Sequence, residues 1–368
     1  MSSRPAAASD SGLDHAAAGV RNAALRLAFG VTGCFAIVEA LDWDATFLAP
    51  LLAANMLVKT PRPPSLAQGL VVVILFASST AAVLVLSMFV ISNPQVLIMA
   101  LIQLFFLSFY AHRLGAPDLA TLLPQISAVS LPIVAVLSPD GAGTFARTLV
   151  AAGFVALLTV WVAHAAFPAP AAAAGAATPA ATTSLQEPVV AARYALLDTL
   201  VLMPLLTWFI LNATEAAIVV LIVIVTLLRQ IDRQQGKSAA LGLILGNLVA
   251  GVAAGIAYNV ILLGNTLPFF VTVCLAATLI FAGRIATAGN RAPVYVVALG
   301  TFVLLLGLSL SPLPGSTGEA FISRLLNVIF ASAYATGGLS LVARWYPATP
   351  YAVRPLQTRR NNEEPKNG

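Results

Sequence analysis

The sequence predicts an all-α polytopic membrane protein with about twelve transmembrane helices in two parallel six-helix repeats. Three observations carry that expectation. Of the 368 residues, 59% are hydrophobic and only 9% charged, whereas soluble domains carry about 25% charged residues. The apolar stretches are continuous rather than alternating and often approach the ~20 residues that span a bilayer as a helix. The chain also states one plan twice, in two halves.

The first statement of the plan runs from Leu25 to Lys59: an apolar helix, an acidic turn at Leu41-Asp42-Trp43-Asp44, a short apolar helix, and a basic stop. The second begins near Arg193, turns between Asn212 and Glu215, and stops at Arg229. Residues 1–20 are small and polar, lack the basic start of a signal peptide, and read as a disordered tail. Residues 21–167 then hold six candidate spans: Ala23–Leu41, Ala45–Val58, Leu66–Ile91, Gln95–Ala111, Leu119–Leu137 and Phe145–Phe167. Residues 168–188 are rich in Ala, Pro and Thr and read as a linker with no core of its own. Residues 189–347 hold six more: Val189–Leu211, Ala216–Leu228, Ser238–Leu263, Leu267–Ala282, Pro293–Leu310 and Ala320–Val342. Residues 348–368 form a polar tail.

The charges orient this arrangement. With a cytoplasmic N-terminus and strict alternation, 17 of the 19 Lys and Arg residues fall on the inner side, the pattern of a multi-pass inner-membrane protein with both termini in the cytoplasm. The same placement explains the net charge of +5 without nucleic acid. The halves match at further points. Ser138-Pro139 and Ser311-Pro312 precede the last helix of each half, and those helices open with Phe145-Ala146-Arg147 and Phe321-Ile322-Ser323-Arg324. An even number of spans per half gives a parallel repeat.

Several residues stand out against this apolar background. Asp198 lies inside a span, where an acid is costly; it reads either as a proton-coupling carboxylate or as a structural ion pair, with Arg193 the nearby cation. Glu39 is a second proton-coupling candidate, with membership of the outer interface as the plainer reading. Arg147 and Arg324 break the inside rule at matching places. They read as an anion-binding pair, or as headgroup contacts or partners of Asp140 and Glu319. Pro50 interrupts the short segment Ala45–Val58 and marks a candidate cavity, since paired short segments point to transporter sites. His164 reads as interfacial packing, and the aromatic run Leu104 to Tyr110 as packing and lipid contact rather than a stacking platform. Gly242, Gly246, Gly251 and Gly255 form small-xxx-small units that read as internal packing, with a homo-oligomer interface as the alternative. No phosphate-cradling Gly-Lys loop, no metal-ligand set and no nucleophile triad stands in the sequence. The expectation is therefore no enzyme, no cofactor and no metal.

The motifs Arg26–Gly30 (RLAFG), Glu39–Trp43 (EALDW) and Phe47–Leu57 (FLAPLLAANML), set in two six-helix halves, resemble the fusaric acid resistance protein family. The chain is similar to a compact subgroup of unassigned function, over about Arg21 to Pro347. Many family members carry a large cytoplasmic domain between the halves; only residues 168–188 stand there here. The resemblance implies a Gram-negative inner-membrane exporter of aromatic carboxylic acids that works beside a periplasmic membrane fusion protein. Together with the buried charges it leads to an expected proton-driven efflux of small aromatic or amphipathic organic anions. The alternatives are a passive permease or channel and a non-transporting scaffold for a periplasmic adaptor.

Overall fold

The computed structural model describes residues 7–43, 45–59, 62–88, 93–168, 188–212, 217–230, 236–264, 266–310 and 321–343. These residues form twelve α-helices: α1 Ala7–Ala40, α2 Leu48–Lys59, α3 Leu66–Ser87, α4 Pro94–Arg113, α5 Asp118–Leu137, α6 Pro139–Ala166, α7 Pro188–Asn212, α8 Ala217–Gln230, α9 Gly236–Ile261, α10 Leu267–Thr287, α11 Ala292–Leu310 and α12 Phe321–Ala343. A 3₁₀ turn, Gly289–Arg291, leads into α11. The greater part of the linker and all of the C-terminal tail lie outside the described residues.

Among the described residues, eight helices are long and apolar enough to cross a membrane: the Ala17–Ala40 part of α1, and α3, α4, α5, α6, α7, α10 and α11. This is the make-up of a polytopic membrane protein. Large apolar side chains such as Leu66, Val71, Ile74, Met99, Leu200 and Ile280 point outward. In water such a surface would be an aggregation liability; facing lipid, it is in its natural solvent. Helix α1 begins at Ala7, within the segment the sequence reads as a disordered tail. The alanines there favour helix, and the helix simply continues into its apolar part.

The helix order around the bundle follows a recurring contact scheme. Helix α1 packs on α2, α6 and α10, while α7 packs on α8, α12 and α4. Helix α2 packs on α6 and α11, while α8 packs on α12 and α5. Helix α3 lies on α5 and α6, and α9 on α11 and α12. The two short helices are the centre. In α2 nearly every residue from Leu48 to Leu57 is buried, and in α8 all of Ala217 to Val225. At about 1.5 Å per residue they measure roughly 18 and 21 Å, against a hydrocarbon core of ~30 Å. Buried by protein all round, their ends need not reach headgroups.

Buried polar side chains are paired across helices, as an apolar interior requires. Thr32 on α1 meets Thr278 on α10 at 3.0 Å, and Thr80 on α3 meets Ser127 on α5 at 2.9 Å. Thr301 on α11 donates to Asn247 on α9, which donates to Ser332 on α12. On α9, a side-chain carbon at Gly246 would crowd Val294 of α11; at Gly251 and Gly255 it would strike Leu325 and Phe321 of α12. These small residues therefore admit close packing within the chain.

Candidate functional site: a charge cluster where four helix ends meet

Helix α4 ends in His112-Arg113, and its C-terminus is closed by Gly115 at φ 87°. Gly115 donates to the His112 carbonyl at 3.1 Å and Ala116 to the Ala111 carbonyl at 3.0 Å. This is a Schellman cap, which glycine enters without steric cost. The sharp reversal starts α5 only three residues later, at Asp118. An acid at a helix N-terminus and cations at C-termini suit the helix dipoles. The last turns of α2 and α8 supply those cations, Lys59 and Arg229.

Arg229 is the hub. Its Nη2 lies 2.6 Å from Asp118 Oδ1, 2.9 Å from the Asp118 carbonyl and 2.9 Å from Thr121 Oγ1. Nη2 is also 3.2 Å from His112 Nδ1, and Nη1 donates to Gln125 Oε1 at 2.9 Å. The other carboxylate oxygen of Asp118 binds Lys59. Beside this hub, Arg113 Nη2 donates to Asp198 Oδ2 at 2.7 Å and to the Leu228 carbonyl at 3.4 Å. Asp198 is fully buried, and the Arg113 guanidinium lies 5.8 Å over the Tyr194 ring. The Arg113–Asp198 pair joins α4 to α7, and the Arg229–Asp118 pair joins α8 to α5.

Within this cluster, three cations face two carboxylates among the described residues. Two buried donors also lack an acceptor: Arg113 Nε and Gln125 Nε2. Burying an unmatched donor costs about 1–3 kcal/mol, so the cluster holds donor capacity that its described residues do not fill.

Two spaces adjoin the helices of the cluster. One is a small cavity of about 20 Å³ between α2, α8 and α11, with Asn55, Thr226 and Thr301 on its wall. It has room for about one water molecule. The other is an open groove of about 490 Å³ along α4 and α5, with Thr121 in its lining.

The residues singled out from the sequence fall in different settings. Asp198 is in the cluster, but its partner is Arg113, 85 residues away; Arg193, expected as its cation, is exposed. Glu39 is exposed in the last turn of α1, next to the opposite end of α2 from Lys59. Arg147 is exposed and donates to Thr144 Oγ1 at 3.1 Å, one turn back on its own helix. Arg324 is buried and donates to the Leu308 carbonyl at the end of α11. Glu319 lies outside the described residues, and Asp140 is exposed. Pro50 is the third residue of α2. First-turn N–H groups have no intrahelical partner, so Pro50 frees no carbonyl within the helix. His164 is buried with Nδ1 2.9 Å from the Val160 carbonyl. The sequence reading passed over Asp118, Gln125 and Arg113 as site residues. One signal was available: Asp118 is an acid on the side otherwise crowded with cations.

The profile of a protein family described as a protein of unknown function (DUF2955) matches residues 23–164, which spans the second half of α1, all of α2 to α5 and most of α6. No curated protein matches the chain. No solved structure matches it either.

Proposed function

We propose that this chain is an inner-membrane transporter that exports small aromatic or amphipathic organic acids, driven by the proton gradient. The observation that carries the reading is the buried Arg113–Asp198 pair beside the Arg229 hub. A guanidinium binds a substrate carboxylate as readily as it binds an aspartate. In this reading the anion is carried outward on the cations of the cluster while Asp198 is ionised. After the anion leaves, a proton taken up by Asp198 on the outer side breaks its pair with Arg113 and lets the empty site turn inward; release of that proton to the cytoplasm restores the pair for the next anion, so proton and anion move in opposite directions. One site thus couples proton and anion without a soluble energy domain.

The reading takes the chain as two repeats, an arrangement that the helix contacts support. Each helix and the one six places later make corresponding contacts: α1–α10 corresponds to α7–α4, α2–α11 to α8–α5, and α3–α5 to α9–α11. A central axis between α2 and α8, with ionic contacts crossing from one half to the other, suits rocking of the halves about a fixed site. Basic-residue placement puts the cluster at the cytoplasmic end and Arg324 near the outer end, where it serves as an exit contact; exposed Arg147 and Glu39 then lie at the surface. A periplasmic membrane fusion protein is the partner that would carry the product onward.

The test is uptake of hydroxylated and alkylated aromatic acids by everted vesicles holding only this protein. Uptake that an uncoupler abolishes, and that Asp198→Asn makes insensitive to pH, is the expected result. Uptake indifferent to the gradient would replace the exporter with a passive permease. Flux by Asp198→Asn with unchanged pH dependence would remove the coupling role.

A further inference from the structure

The groove along α4 and α5 exists because α3 and α4 barely touch. Its wall runs from Ala100 to Ala111 on α4, about 16 Å along the helix axis. Leu104 and Leu107 make it apolar, and Leu107 is 60% exposed toward the lipid-facing side. Its volume falls in the ~300–1,000 Å³ range of small-molecule sites. Polar groups gather toward its α5 wall. Pro124, inside α5, has no N–H to give the Ala120 carbonyl, and both residues line the groove. Gln103 adds an amide from the α4 wall. Thr121 closes the series: the residue lines the groove, and its hydroxyl donates to the Asp118 carbonyl and accepts from Arg229 Nη2 at 2.9 Å.

An apolar channel open to lipid, ending on a hydroxyl bound to a guanidinium in a cluster with three cations to two carboxylates among the described residues, fits one occupant chemistry. We infer that the groove is a lateral access site, in which an amphipathic carboxylic acid arriving from the bilayer lays its tail along Leu104 and Leu107. Its head sits at Thr121 beside Arg229. When protonated, the head donates to the Ala120 carbonyl, which Pro124 leaves without its usual helix donor; when ionised, it is drawn to the Arg229 guanidinium behind Thr121. The inference deepens the transport reading and rests on it for the fate of the acid, while the binding itself can be observed without flux.

The probe is dodecanoic acid carrying a terminal diazirine, with the full chain in lipid nanodiscs and adducts located by mass spectrometry. Adducts are expected on the α4 and α5 walls, displaced by plain dodecanoate and not by dodecyltrimethylammonium. Leu107→Trp, on an exposed side chain, should abolish them by filling the groove, while Ile74→Trp on the outward face of α3 should leave them unchanged. Thr121→Val should weaken displacement by dodecanoate about fivefold, the size of one lost hydrogen bond. Equal displacement by the ammonium chain, or adducts spread evenly over outward residues such as Val71 and Met99, would reduce the groove to ordinary lipid contact and overturn the inference. Adducts without vesicle uptake would remove the transport reading and leave the groove; uptake with no groove adducts would do the reverse.

Discussion

Arg229 holds Asp118 at 2.6 Å across 111 residues of chain, and Lys59 holds the same carboxylate from the other side. The two cations end the two short central helices, one in each half of the sequence. Asp118 is therefore the anion on which both halves converge. Arg229 is almost fully buried, whereas Lys59 is 37% exposed, and the two contacts should differ sharply in strength.

Asp118→Ala should destabilise the protein by about 3 kcal/mol, because it leaves the buried Arg229 charge without its carboxylate. Lys59→Met should cost under about 1 kcal/mol, since a partly exposed pair is screened by solvent. Thermal unfolding in detergent, followed by loss of helical signal, measures both. Equal effects would show that Arg229 finds adequate compensation in Gln125 and Thr121.

The Arg113–Asp198 pair should behave as a coupled unit. Asp198→Leu alone strands the largely buried Arg113 guanidinium and should cost about 3 kcal/mol. Adding Arg113→Met should recover much of that loss, because a well-packed apolar pair is often no worse than a buried ionic one. The double-mutant cycle over the four proteins reads the coupling directly. Additive losses would mean that Asp198 is held mainly by its other neighbours.

Helix positions were legible in the sequence because apolar runs, prolines and basic stops mark them locally. The two short helices could be recognised, but not their central place. A helix apolar on every side reads the same whether it faces lipid or protein, and only packing distinguishes Ile224, fully buried, from Leu200, 60% exposed. The site was legible in part. An intramembrane acid announced Asp198, but its partner Arg113 looked like one more flanking cation. Pairing across 85 residues is a property of how the halves meet, and no local pattern encodes it. Gln125 was invisible for the same reason.

Asp42 adopts φ 51° at the end of α1, with Trp43 donating to the Val38 carbonyl at 3.3 Å and Asp42 to the Glu39 carbonyl at 3.2 Å. The acidic turn of the sequence is thus a Schellman cap with a non-glycine residue in the left-handed position, the counterpart of Gly115 at the end of α4. Asp42→Gly should be neutral or stabilising by up to about 1 kcal/mol, and Gly115→Ala destabilising by about 1 kcal/mol. The two melting shifts should have opposite signs or leave Asp42→Gly unshifted. A loss of stability in Asp42→Gly would assign the Asp42 carboxylate a contact worth more than the backbone strain.

Gly307 on α11 sits where the chain between α1 and α2 crosses it. A side-chain carbon there would lie 2.6 Å from the Cα and Cβ of Phe47 and 2.7 Å from its backbone nitrogen. Backbone cannot swing aside as a side-chain tip can, so Gly307→Ala must push α11 away from the entry to α2. The expected cost is about 1–3 kcal/mol, the range for overpacking a tight interior. Gly143→Ala on α6 meets nothing within 4 Å and should be neutral or slightly stabilising, because alanine is the better helix former. Because α11 also walls the small cavity beside α2 and α8, the Gly307 variant should lower uptake of organic acids more than its stability loss explains. Unfolding midpoints and vesicle uptake for the two variants test this together. An unshifted Gly307→Ala would mean that α11 is not clamped against Phe47, and that the central helices have more freedom than their burial implies.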